Sequence, residues 1–97
     1  MSIVIIAEIE PSPREEQTVQ EALLTAVARV RSEDDGCERY ELHRDRRTAG
    51  FVMVERWRDQ AALDAHAAGP AFAALSAALD GRLAAPIRLR PLAPVEV

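Results

Sequence analysis

The segment Ile3-Val4-Ile5-Ile6-Ala7-Glu8-Ile9 constrains this chain most, because it reads as a strand with no obvious wet side. Side chains alternate across a strand, so one face carries Ile3, Ile5, Ala7 and Ile9. The other carries Val4 and Ile6 before it turns charged at Glu8 and Glu10. An antiparallel sheet with one solvated face alternates cleanly between apolar and polar. A strand apolar on both sides asks for cover on both. Its β-branched content and the closing Pro11 place the strand over residues 3–10.

The rest of the chain supplies cover for one side only. Ser12-Pro13-Arg14-Glu15 reads as a helix start, with Ser12 as N-cap, Pro13 in the first turn and Glu15 closing a capping box. The helix then runs to residues 31–33, with Val19, Leu23, Ala26, Val27 and Val30 as its inward stripe. Gly36 ends it. Residues 37–44 and 51–57 are two further strands joined by the polar loop Asp45-Arg46-Arg47-Thr48-Ala49-Gly50. Asp59 can cap a second helix through His66, and Gly69-Pro70 interrupts it. A further helical stretch spans residues 71–79. Pro86 precedes a last strand over residues 87–90, and Pro91 and Pro94 break up the tail.

The order is β-α-β-β-α-β. Short connections and right-handed crossovers make the simplest solution an α+β, ferredoxin-like fold. It has a four-stranded antiparallel sheet with the two helical regions on one face. Yet the first strand is apolar on both faces and the third sets Val52 and Val54 opposite Phe51, Met53 and Trp57, so a second copy packing its sheet against the open face is expected to cover it. A homodimer is expected.

The 97 residues form a single domain, 1–97. Twelve basic residues, all arginine, stand against 16 acidic ones and give a net charge of -4. That balance predicts no nucleic acid partner and no anionic membrane surface. The apolar start is too short for a membrane span and has no basic flank, so it is not a signal peptide. Cys37 is the only cysteine, which rules out an internal disulfide and favours a cytoplasmic setting.

Glu55 and Trp57 leave one face of the third strand. Helix rise and strand rise together bring His66 back over Val54 or Glu55 when the chain reverses after Trp57. With Ala62 and Leu63 one turn earlier, His66 faces inward. An imidazole, an indole and a carboxylate then meet at one cavity, although each residue also has an ordinary structural reading. Tyr40, the only phenol, shares a strand face with Leu42, and His43 falls on the opposite, outer face. Cys37 reads as a small buried residue. Two histidines and one cysteine far apart make no metal site. No glycine-rich phosphate loop for a nucleotide or flavin is present. No cofactor is expected.

Phe51-Val52-Met53-Val54-Glu55-Arg56-Trp57, followed by Asp59 to His66 and then Pro70-Ala71-Phe72, resembles the antibiotic biosynthesis monooxygenase family. Asp35-Gly36-Cys37-Glu38-Arg39-Tyr40-Glu41-Leu42 also looks like that family's second strand. The resemblance covers residues 3 to about 92. It implies a dimeric α+β barrel with a pocket between sheet and helices in each subunit. It also implies cofactor-independent oxidation of a small aromatic substrate: a quinol, an anthrone or a phenol. His66 would then be the base and Trp57 the aromatic wall, with Tyr40, Glu55 and Phe72 binding substrate. A non-catalytic dimer that binds a small aromatic metabolite uses the same residues. Haem-degrading relatives carry an asparagine in the first strand; this chain has no asparagine, which places that activity lower.

Overall fold

The doubly apolar strand lies inside the sheet, as its composition requires. The computed structural model describes residues 1–95. The elements are β1 (Ile3–Ile9), α1 (Glu16–Glu33), β2 (Cys37–Arg44), β3 (Phe51–Trp57), α2 (Gln60–Ala67), α3 (Pro70–Leu79) and β4 (Arg88–Leu92). All neighbouring strands pair antiparallel, in the order β2-β3-β1-β4. This is the ferredoxin-like plan, with all three helices on one face.

Register fixes what each face holds. Ile5 pairs with Glu55, Ala7 with Met53 and Ile9 with Phe51, and all six side chains are buried toward the helices. Against them α1 packs Val19, Leu23, Ala26 and Val30. From α3 come Ala71, Leu75 and Leu79, and from α2 Ala62 and His66. Trp57 is fully buried at the end of β3. On the opposite face Val4, Ile6, Val52 and Val54 are only half-buried. Around them stand ion pairs such as Glu8–Arg88 and Arg56–Glu38.

Two local expectations are corrected. The capping box at Ser12 does not form: α1 starts at Glu16, and Glu15 stands at the N-cap without a side-chain cap bond. The reason is tertiary. Ser12 N–H donates to the Arg82 carbonyl, Pro11 bridges to Leu83, and the Glu15 carboxylate reaches forward to Arg82 at 2.9 Å. Arg14 takes up the resulting turn at a φ of 72°. The last strand also lies later than residues 87–90, running through Pro91 to Leu92. Because β4 is an edge strand, a proline without an N–H is tolerated there. The interruption expected at Gly69-Pro70 is present and separates α2 from α3.

The join between β2 and β3 decides which side chains of β2 face the core. A bulge falls between Cys37 and Arg39, so that Cys37 faces Trp57 while Tyr40, not Arg39, faces Glu55. One extra residue re-aims the strand. It puts a phenol on the inner face and the arginine outside.

Candidate active site

Four elements converge at one end of the core. β3 contributes Glu55 and Trp57, β2 contributes Tyr40 through its bulge, α2 contributes His66, and α3 contributes Phe72. Asp59 starts α2 where β3 ends, its side chain accepting from Ala62 N–H at 2.8 Å. That cap sets the angle at which α2 folds back. His66, in its last turn, is only 5% exposed.

The imidazole meets β3 at its last residue. It stacks on Trp57, with ring centroids 4.4 Å apart and planes 29° from parallel. Tyr40 and Phe72 meet the same imidazole edge-on, at 5.7 and 5.4 Å. Three aromatic rings thus fix one histidine.

Two buried hydrogen bonds set the polarity. The Trp57 indole N–H donates to a Glu55 carboxylate oxygen at 3.0 Å, so Glu55 pairs with the indole and not with an arginine. His66 Nδ1 lies 2.6 Å from a carboxylate oxygen of Asp34, whose side chain is 11% exposed. Burial raises the Glu55 carboxyl above the ordinary carboxylate range, against the opposing pull of the Trp57 bond and of His66. Burial likewise raises the Tyr40 phenol, helped by nearby Glu55, so it stays protonated. The Cys37 thiol is pushed up by burial too, which removes it as a nucleophile.

A cavity of about 30 Å³ opens beside this cluster, lined by Tyr40, Glu55, His66 and Phe72, with Ile87 and Leu89 of the last segment. The Tyr40 hydroxyl, the second Glu55 oxygen and His66 Nε2 have no hydrogen-bond partner among the described residues. No buried side-chain nitrogen or oxygen among those residues lacks a partner. The three atoms therefore keep some exposure, and the residues that carry them line the cavity. A cavity this size takes a water or two, whereas one of about 150 Å³ admits a benzene ring. A ring can enter here only if the lining moves aside.

The structure therefore brings together Tyr40, Glu55, His66 and Phe72 at the cavity. Trp57 is not among its lining residues. The indole is fully buried, with one face covered by the imidazole. His43 is exposed on β2. Sequence reasoning missed Asp34, which is 32 residues from its partner. One signal was available: an acid closing a helix opposes the helix dipole, and Asp34 stands at the C-cap of α1. Among the described residues no group of three or more His, Cys, Asp or Glu side chains is placed to hold a metal. No described helix is long and apolar enough to cross a membrane.

Comparison with known proteins agrees with this fold. Residues 2–78 match the family model for antibiotic biosynthesis monooxygenases. The chain is 30% identical over 94 residues to "Putative monooxygenase Rv0793" of Mycobacterium tuberculosis, covering 97% of this chain and 92% of that one. The solved structure of Rv0793 superposes with a TM-score of 0.92 at 27% identity, over 100% of this chain and 98% of its own. The crystal structure of PA3566 from Pseudomonas aeruginosa gives 0.89 at 30% identity, over 98% and 95%.

Proposed function

The chain belongs to the antibiotic biosynthesis monooxygenase family, and on that footing we propose that it oxidises a small quinol, anthrone or phenol with molecular oxygen and no added cofactor. The observation that carries this reading is that His66, Tyr40 and Glu55, each with a polar atom left unpaired among the described residues, line one cavity. The hydroxylated edge of an aromatic substrate enters among them, and the rest of the ring lies at the mouth against Phe72 and Leu89. His66 Nε2 takes the proton. Imidazole titrates close enough to neutrality to act as a base at physiological pH. Tyr40, kept protonated by burial, donates to the oxygen that becomes negative.

The electron-rich anion supplies the electrons itself. In an anthrone, the activated CH2 carbon loses its proton and passes an electron to O2; recombination gives a peroxide at that carbon. Loss of water leaves C=O, so one oxygen atom ends in the product and the other in water. The substrate is the reductant, and both methylene hydrogens leave in the water. Trp57 does not touch the substrate in this scheme. It holds His66 from behind and binds Glu55.

We further propose that the chain works as a homodimer, joined through Val4, Ile6, Val52 and Val54 on the sheet face away from the helices. The small volume of the cavity favours one second reading, a non-catalytic dimer that binds only part of an aromatic metabolite. Oxygen uptake decides between them, measured with purified protein against a panel of hydroquinones, naphthols and anthrones. Uptake with one oxygen atom appearing in the product supports the oxygenase. Saturable binding with no uptake across the panel overturns it in favour of the binding module.

A further inference from the structure

The Asp34–His66 contact joins the C-cap of one helix to the last turn of another, and no pattern in the sequence required it. Both side chains are largely buried, at 11% and 6% exposure, and Nδ1 and the carboxylate oxygen are 2.6 Å apart. The placement of Asp34 is rigid. Its backbone N–H donates to the Val30 carbonyl at 3.0 Å, and its own carbonyl accepts from Cys37 N–H. Gly36 then makes the turn into β2 at a φ of 84°, and its carbonyl accepts from Arg58 N–H at 2.8 Å. Neither the helix end nor the turn uses the Asp34 carboxylate. That carboxylate is spent wholly on the histidine.

We infer that Asp34 is the positioning residue for the His66 base: it selects the tautomer that carries its proton on Nδ1 and so leaves Nε2 bare toward the cavity. This deepens the proposed function and rests on it for its catalytic consequence, but the tautomer itself does not. An ionised carboxylate only accepts hydrogen bonds, so the proton of the neutral ring must sit on Nδ1 to satisfy this contact. Without Asp34 a neutral imidazole in solution divides between two tautomers, and the one protonated on Nε2 cannot serve as base toward the cavity. When His66 gains the substrate proton, the imidazolium faces the carboxylate in a buried setting, where the charge-assisted bond is strengthened. The stack on Trp57 and the edges of Tyr40 and Phe72 prevent the ring from turning to present Nδ1 instead.

The test reads the ring nitrogens directly, through two-bond proton–nitrogen correlations of uniformly ¹⁵N-labelled protein at mildly alkaline pH. Exposed His43, the only other histidine, serves as internal reference. His66 should show one tautomer, with protonated Nδ1 and bare Nε2. In Asp34→Asn a neutral amide replaces a charge-assisted partner, and the tautomer ratio should shift toward Nε2–H by about tenfold. In turnover, Asp34→Asn should lower kcat by roughly 10- to 100-fold with KM little changed, since the ligand touches Nε2 and not Asp34. A wild-type ring protonated on Nε2, or an unaltered ratio in folded Asp34→Asn, overturns the positioning role. A wild type with the Nδ1–H tautomer and no turnover of any phenol upholds the positioning and overturns the oxygenase reading alone. Turnover by Asp34→Asn at the wild-type kcat overturns the role of Asp34 and leaves the oxygenase standing.

Discussion

Replacing Gly36 with alanine tests the joint on which the site is built. A Cβ at this position would lie 2.6 Å from the Ala62 Cβ, and both carbons are fixed to backbone. Gly36 also has a φ of 84°, where an L-residue costs roughly 1–2 kcal/mol. Forcing two anchored carbons apart adds roughly 1–3 kcal/mol, the usual range for overpacking a core. Gly36→Ala should therefore lose about 2–5 kcal/mol. Gly81 supplies the control, since its φ is 73° and nothing lies within 4 Å of a Cβ built there. Gly81→Ala should lose only the backbone part, about 1–2 kcal/mol. The difference between the two isolates the contact with α2. For a domain of this size, each kcal/mol moves the melting temperature by about 4–8 °C. Gly36→Ala should then melt at least about 4 °C below Gly81→Ala when both are scanned at one protein concentration. Ala62 lies one turn before His66 on α2, so the same displacement should loosen the Asp34 contact and spread the His66 tautomer. Equal melting losses in the two variants would refute the packing argument. A large loss with an unaltered tautomer would refute the link between this turn and the site.

Burial at Glu55 and on the open sheet face gives two further expected outcomes. The Glu55 carboxyl is raised, so the folded protein holds that proton to higher pH than the unfolded chain does. Its contribution to stability is complete below the unfolded value and declines as pH rises through the carboxylate range toward the folded one. Glu55→Gln keeps an oxygen for the Trp57 indole and removes the titration. Urea midpoints across pH should show the variant gaining on wild type as pH rises through that window, and parallel curves would contradict the assignment. On the open sheet face, Ile6→Asp should halve the mass found by light scattering at micromolar concentration. By two-fold symmetry it places two unpaired charges in the interface. A wild type that is already monomeric, or a variant that stays dimeric, would count against the proposed interface.

How far the sequence reached depends on how local each determinant is. Periodicity found every strand and helix, because the inward stripe of α1 and the alternation of β3 are written in consecutive residues. It also placed Asp59 at the start of α2 and the break at Gly69-Pro70. The end of β1 and the start of α1 were misread because Ser12 and Glu15 bond to Arg82, a partner that no local rule supplies. Tyr40, Glu55, His66 and Phe72 do meet at one cavity, and alternation plus chain reversal was enough to suggest His66 and Glu55 there, while Tyr40 and Phe72 came from the family resemblance. The place of Trp57 was not legible, since whether an indole lines a cavity or backs another ring depends on the angle of α2. Asp34 left only the weak signal of an acid at a helix C-cap. Its partner is brought to it by two intervening strands and the fold-back of α2, and the β2 bulge that turns Tyr40 inward left no mark in the pattern.

The proposed role of His66 Nε2, as base of an oxygen-consuming reaction at this cavity, is tested by oxygen uptake of His66→Ala beside wild type. The substrate is whichever anthrone, quinol or phenol the wild type oxidises, and melting curves show whether the variant is folded. General base catalysis contributes roughly 10²–10⁴-fold, so the folded variant should lose turnover in that range. A folded His66→Ala that consumes oxygen at the wild-type rate would contradict this role and move the base to Glu55 or Tyr40.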